Sequence, residues 1–339
     1  LAERKILFLQ KPQINISCSS VGRMWLIAAC AFFCVLQSAF GDGGDSLVIA
    51  LFSVFFAVLT EYLLTRRNYG IEKIKDGSAV ATALILVMML PNQIHPIYAV
   101  FGCLFAIVVV KYSFGGLGSN WLNPALGGWL FIRFSWPSVF SDMLEQASIS
   151  EMIISPDVTA IDNSVTEFLN NTIFSIGGIQ LPQGYINLLF NNNPGMIADR
   201  GLFALLIGTI VITAMGINRG WIPLVFLGVY GFLIRIAGDL SGVFGAGDVL
   251  YGFFSGGTII IAFILAAEPS SSAKLMPGIL FSVIAAAVLT WFLRYWGSEF
   301  YGGFIALAIV NCFIPLIRFI ENKFFLKRNN HGNFMEKPL

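Results

Sequence analysis

The segment Lys111-Tyr-Ser-Phe-Gly-Gly-Leu-Gly-Ser-Asn-Trp-Leu-Asn-Pro-Ala125 concentrates more chemistry than any other part of the chain. A basic anchor, Lys111, ends an apolar run, and Gly115, Gly116 and Gly118 allow backbone amides to approach a ligand or a partner helix. Asn120 and Asn123 follow three residues apart, and Pro124 suits the first position of a helix that Asn123 would cap. Read physically, this is a re-entrant turn that either lines a cofactor site or simply packs tightly.

Two further segments repeat a theme. Asp76-Gly-Ser-Ala opens an apolar stretch that ends at Leu90-Pro91, and Phe254-Ser-Gly-Gly-Thr258 opens one that ends at Glu268-Pro269. Each has a small polar patch at its start, a wall of small residues and a proline stop. Ser78, Thr82, Ser255 and Thr258 therefore either face a ligand or allow close helix packing.

Charged residues within or beside apolar runs are costly in lipid and default to functional candidates. Glu61 is either a cation or quinone-like ligand contact, or a carboxylate paired with Arg66 and Arg67 one turn away. Arg133 requires an anionic partner: an anionic cofactor, a carboxylate or helix carbonyls. Glu268 is a candidate for an ion path, whereas Arg235 and Arg294 read as anchors near helix ends. The five cysteines form no CxxC pair. Cys30 and Cys34, on one helix face, read first as small buried hydrophobes, with metal ligation the rarer use of such a pair.

These residues need a frame, and composition names its solvent. The 339 residues are 57% hydrophobic and only 12% charged, with a mean hydropathy of +0.79. Charge this scarce cannot clothe a water-soluble surface, so most of the chain must face lipid. A net charge of +1 argues against a nucleic-acid partner. Ten apolar spans are expected: Met24–Phe40, Ser46–Thr65, Ser78–Leu90, Ile94–Tyr112, Pro124–Trp136, Gly201–Met215, Trp221–Ala237, Val249–Ala267, Gly278–Leu293 and Phe300–Ile320. The third and fifth are short and read as broken helices packed inside a bundle.

Basic residues orient the set. Arg4, Lys5, Lys11 and Arg23 precede the first span, and Arg66, Arg67, Lys73 and Lys75 follow the second. Lys111, Arg219 and Lys274 end the fourth, sixth and eighth, and Arg318, Lys323, Lys327 and Arg328 close the chain. All fall on one side if ten spans are counted, with both termini cytoplasmic. The segment from Pro137 to Asp199 holds no Lys or Arg, as an external loop would. The first span also has the form of a cleaved signal, but its removal would leave an odd number of spans beneath a basic tail.

Five spans on either side of that loop must enter the membrane in opposite senses, which predicts an all-α polytopic membrane protein of two inverted five-helix repeats. The expected organisation is a cytoplasmic N-terminal segment (1–23), a first repeat (24–136), an external loop (137–200), a second repeat (201–320) and a cytoplasmic tail (321–339).

The pattern Phe-Gly-Gly-Leu-Gly-x-Asn-x-x-Asn-Pro-Ala, with Asp76-Gly-Ser-Ala-x-x-Thr-Ala-Leu before it and Phe-Ser-Gly-Gly-Thr and an acidic-Pro-x-x-Ser ending after it, resembles the RnfD/NqrB family. The likeness runs from Glu61 to the last span, and the chain's length is closer to RnfD. It implies a ten-helix inverted repeat akin to urea and ammonium channels, in a bacterial inner membrane. It also implies a role beside other subunits in a redox complex that moves Na+ or H+. Two cofactors are implied: FMN esterified through its phosphate to an external threonine, and a non-covalent riboflavin. The family's acceptor motif, Asp-Gly-x-Ser-Gly-Ala-Thr-x-Leu, has its counterpart in Asp162-Asn-Ser164-Val-Thr166-Glu-Phe-Leu169. The Gly-Ala pair is missing and the interval from Asp to Thr is two residues shorter. Thr166 is the implied attachment point, with Thr159 and Ser164 as further acceptors. Read without the resemblance, Ser164 and Glu167 have the spacing of a capping box.

The expected cofactor contacts are thus Asp76, Ser78, Asn120, Asn123, Asp162, Ser164, Thr166, Ser255 and Thr258, with Glu61, Arg133 and Glu268 along an ion path. No Walker loop, Ser-His-Asp set or GxGxxG motif is present, and two histidines cannot build a His-rich metal or haem site. No complete active site is expected in this chain, so nicotinamide chemistry would belong to other subunits. The rival readings are a flavin-free channel or transporter of small solutes, and a structural scaffold for redox partners.

Overall fold

A computed structural model describes residues 20–66, 74–113, 120–140, 164, 167–168, 171–172, 189, 195–237, 249–298 and 300–333. Asp162 and Thr166, with Thr159, lie outside the described residues. The architecture is all-α, and helix occupies every one of the ten apolar segments. Helix α1 covers Ser20–Gly41, α2 Asp45–Thr65 and α3 Ser78–Met88. Helix α4 covers Pro96–Phe105 and continues as a π-helical stretch, Ala106–Tyr112. Helix α5 is Pro124–Ser135, α6 the short Ile197–Arg200, α7 Leu202–Ala214 and α8 Trp221–Ala237. The next span is interrupted: α9, Val249–Phe254, breaks at Ser255-Gly256-Gly257 before α10, Thr258–Ile260, and a second π stretch, Ile261–Leu265. Helices α11, Met276–Trp296, and α12, Gly302–Asn333, complete the bundle.

The surface identifies the solvent. Small residues such as Ala31, Ala57, Ala83 and Ala106 are fully buried, while Phe33, Leu51, Phe55, Leu224, Phe232 and Phe281 are exposed. Packing is therefore carried by close backbone approach while large apolar groups face outward, the distribution lipid favours. Four helices, Val21–Gly41, Asp45–Thr65, Met276–Trp296 and Gly302–Lys323, are each long and apolar enough to cross a bilayer. The shorter apolar helices complete a multi-pass membrane protein.

Glycines and cysteines set the tightest crossings. A methyl group on Gly128 would lie 2.5 Å from the Gly102 carbonyl, so α4 and α5 can touch only as they are. Gly208 and Gly201 pack against Cys30 and Cys34 of α1, and both thiols point at backbone carbonyls of the chain's second half. The two cysteines are thus packing residues at the seam between α1 and α7. Among the described residues no cluster of three metal-ligating side chains occurs.

The third and fifth spans are short and largely buried, as expected, yet the break inside a span falls in the eighth. Both α3 and α10 start from a left-handed glycine, Gly77 at φ 72° and Gly257 at φ 65°. The end of α3 meets the chain before α7, where Ile197 N donates to Leu90 O at 3.0 Å. Asp199, just beyond, accepts from Gly257 N at 2.8 Å. The start of α3 lies instead beside Ala267 and Glu268, at the far end of the α10 segment. The end of α3 is thus linked through Ile197 and Asp199 to the start of α10, and its start lies toward the opposite end of that segment.

Candidate functional site

The start of α3 is where polar side chains from distant segments converge. Asp76 Oδ1 accepts from Ser78 N at 2.8 Å and from Ser78 Oγ at 2.6 Å, so the carboxylate caps the helix that Gly77 opens. Ser78 Oγ in turn accepts from Lys111 Nζ at 2.6 Å. Lys111 Nζ also sits 2.7 Å from Glu61 Oε1, and the Tyr112 hydroxyl donates to the same oxygen at 2.7 Å. Glu61 and Lys111 are both fully buried. The lysine is therefore no interfacial anchor, because a buried ammonium must find a carboxylate at its own depth. Among the described residues Glu61 correspondingly pairs with Lys111 and not with Arg66; Arg67 lies outside the described residues.

Beside this network lies a cavity of about 390 Å³. Its walls come from both halves of the chain: Met24, Ile27, Ala81, Ile85 and Ala125 on one side, Ile212, Ile217, Phe263, Ile264 and Ala267 on the other. Its polar lining includes Arg23, Ser78, Thr82, Lys111, Asn120, Asn123, Asn218 and Glu268. Asn123 caps α5 as expected, its Oδ1 accepting from Leu126 N at 3.2 Å, and its Nδ2 donates to Glu268 Oε2 at 2.5 Å. Ser270 and Ser271 also donate to the Glu268 carboxylate. Glu268 stands just beyond the π stretch, and burial pushes its carboxyl above the usual carboxylate range against the pull of those hydrogen bonds from Ser270, Asn123 and Ser271.

Two lining oxygens lack any hydrogen-bond partner among the described residues: Asn120 Oδ1 and Asn218 Oδ1, the latter's amide donating to Phe263 O at 2.5 Å. Buried polar atoms left this way call for a partner. A flat ring system with an N–H and carbonyls on one edge suits this lining: its one N–H can donate to one of the amide oxygens, Lys111 and Thr82 lie within the same lining, and the isoleucines and Phe263 supply apolar walls. An isoalloxazine has that edge and that apolar body, so the residues present fit a flavin.

Ser255 and Thr258 lie elsewhere, at the start of α10. There Arg294 is 1% exposed and donates to Tyr230 Oη at 2.7 Å, Thr258 Oγ1 at 2.8 Å, Ser255 Oγ at 2.8 Å and the carbonyls of Gly252 and Ser255 at 2.9 and 3.1 Å. It is not an anchor: its fork satisfies the carbonyls freed where α9 breaks, the need any interrupted helix in lipid creates. Arg235, by contrast, is exposed. Arg133 finds no anion among the described residues; it donates to Tyr301 Oη at 2.9 Å and lies over the Tyr301 and Phe140 rings at 4.5 and 5.4 Å. Ser164 is exposed and does not join the cavity.

The structure thus gathers Asp76, Ser78, Asn120, Asn123 and Glu268 in or beside one cavity, with Glu61 behind Lys111, and leaves Ser255, Thr258 and Arg133 apart. Sequence reading gives Lys111 and Arg294 only as anchors and passes over Asn218 and Asp199. A lysine and a glutamate each closing an apolar run is a pairing signal for the first. Nothing local marks Asn218, whose role arises only because α7 and the second π stretch meet.

Known proteins resemble this chain along nearly its whole length. The model of the NQR2, RnfD, RnfE family matches residues 8–326. The chain is similar to the D subunit of the proton-translocating ferredoxin:NAD(+) oxidoreductase complex of Clostridium ljungdahlii, 28% identical over 93% of this chain and 94% of the relative. It is similar to the D subunit of the Na(+)-translocating ferredoxin:NAD(+) oxidoreductase complex of Acetobacterium woodii, 26% identical over 95% and 96% of the two chains. The D subunit of an ion-translocating oxidoreductase complex from Shewanella piezotolerans is 24% identical over 95% and 97%.

Proposed function

Since the chain belongs to the NQR2, RnfD, RnfE family, we propose that it is the D-type membrane subunit of a complex that couples electron transfer to Na+ or H+ translocation. Its partners are the other subunits of that complex, and the oxidoreductase activity is theirs jointly. The observation that carries the reading is the cavity between the two halves, where apolar walls and two amide oxygens without a hydrogen-bond partner among the described residues adjoin a buried ion pair. A non-covalent riboflavin is held there by Asn120, Asn218 and Lys111. When bound, it supplies reversible electron acceptance. The chain's own residues orient its edge, exclude water with the isoleucine walls and keep a cationic side chain at hand.

A second flavin, FMN, is esterified through its phosphate to Thr166. The polypeptide forms ten spans in two inverted repeats across a bacterial inner membrane, both termini cytoplasmic. The opposed α3 and α10, each opened by a left-handed glycine next to a carboxylate, support that symmetry. The charge distribution supports the orientation.

A cofactor inventory of the purified complex tests the proposal. One acid-extractable flavin and one retained by the denatured chain are expected, the latter lost in Thr166→Val. If neither appears while the protein conducts a small solute, it is a flavin-free channel and the redox reading fails.

A further inference from the structure

Lys111 stands between the cavity and the carboxylate behind it: Lys111 and Ser78 line the cavity, and Glu61 does not. Around the ammonium, Glu61 Oε1 lies at 2.7 Å and Ser78 Oγ at 2.6 Å, while the Tyr112 hydroxyl holds the same carboxylate oxygen. Glu61 is 0% exposed, and its Oε2 has no hydrogen-bond partner among the described residues. This cluster of hard oxygens carries one more acceptor, Glu61 Oε2, than the lysine uses. Stability does not account for the pair, because buried ions in proteins rarely outperform apolar replacements and are costlier still in lipid.

The backbone beneath Lys111 adds a second observation. It belongs to the π-helical stretch Ala106–Tyr112, a rare geometry that is frequent at functional sites. A return to α geometry turns a side chain by about 100° around the axis. For Lys111, which already borders the cavity, a turn of that size would break the 2.7 Å contact of the ammonium with Glu61.

Hard oxygen ligands that replace a cation's hydration shell are the chemistry of alkali-ion sites. We propose that Lys111 is a tethered surrogate cation. Its ammonium occupies a seat for an alkali cation built from Glu61, Ser78 and Tyr112, and a cation entering from the cavity displaces it. The charge of the seat is unchanged in the exchange, and the displaced ammonium, still tethered, carries its positive charge into the cavity, whose lining includes the Glu268 carboxyl and the Asn120 amide oxygen. The inference rests on the translocation reading and adds to it the residue at which the cation is exchanged.

The test uses the assembled complex with wild-type chain, Lys111→Met, and Lys111→Met with Glu61→Gln. Binding of radioactive sodium, and separately of rubidium, is measured at constant pH. The single variant should bind one of these ions per chain at least about tenfold more tightly than wild type, and the double variant should lose that site. No gain in the single variant, or a gain that survives Glu61→Gln, overturns the exchange. Should the single variant fail to assemble, the wild-type complex answers instead. Sodium or rubidium chloride, but not choline chloride, should raise modification of Lys111 by an amine-reactive reagent several-fold, read by mass spectrometry, and an unchanged yield overturns the proposal. Ion uptake by energised wild-type vesicles reports on translocation separately; vesicles that build no gradient sink that reading, whereas the binding counts decide the exchange.

Discussion

Single side chains carry the structural cost of placing polar groups in lipid, and their removal should show it. Arg294 satisfies two carbonyls and three hydroxyls at once. Arg294→Met leaves them facing an apolar side chain, at a cost of about 3 kcal/mol or more, since each unmatched buried group costs roughly 1–3 kcal/mol. A fall in the melting temperature of the detergent-solubilised protein, with most of it returning in Arg294→Lys, is the expected result. Glu268 gives a pH signature. Its carboxyl titrates higher in the folded protein than unfolded, so between those two points the folded state binds more protons. Stability therefore falls as pH rises from about 4.5 toward the folded value, and is level above it. Glu268→Gln should flatten that slope in a melting series; a slope that persists would assign it to another group. Asn123→Ala removes both the α5 cap and a Glu268 partner, so its loss should exceed the ~1 kcal/mol of a cap alone.

At the level of elements, two glycines hold the short helices in place. Gly77 and Gly257 combine a left-handed backbone with crowding: an added methyl would meet the Trp25 ring at 2.9 Å and the Phe304 ring at 2.5 Å. Gly43 has a similar φ of +71° and nothing within 4 Å. Gly43→Ala should therefore cost only the backbone term of about 1–2 kcal/mol. Gly257→Ala adds displacement of a buried phenylalanine and should sharply reduce folded yield from membranes. Equal yields for the two variants would mean that the ring moves aside freely. The short helices also mark where sequence reading reaches its limit. Asp76-Gly-Ser-Ala and Phe254-Ser-Gly-Gly-Thr258 are legible as related helix starts, because left-handed turns demand glycine and polar caps wherever they occur. That one start faces the cavity while the other is closed off by Arg294 depends on which helix lies opposite, and no local pattern records it.

For the molecule as a whole, the expectation is directional. A cysteine introduced at Thr166 should react with an impermeant thiol reagent from outside the cell, and one introduced at Lys327 only after the membrane is opened. The reverse pattern would invert the bundle and remove the proposed flavin anchor with it.

Apolar content, scarce charge and the spacing of proline and glycine sufficed to establish a helical membrane protein and to locate its apolar helices, because lipid penalises every unsatisfied backbone group and so imposes the same code on each segment. The motifs likewise singled out Ser78, Asn120, Asn123 and Glu268, which the structure places in the lining of one cavity. Pairing was another matter. Lys111 meets Glu61 across 50 positions, Arg294 meets Ser255 across 39, and Asn123 meets Glu268 across 145. A buried charge is satisfied by whatever group the packing brings within about 3 Å, and packing is settled by helix crossings, not by order along the chain. Only the folded bundle could show that two apparent anchors are interior cations, and that the two halves share one cavity.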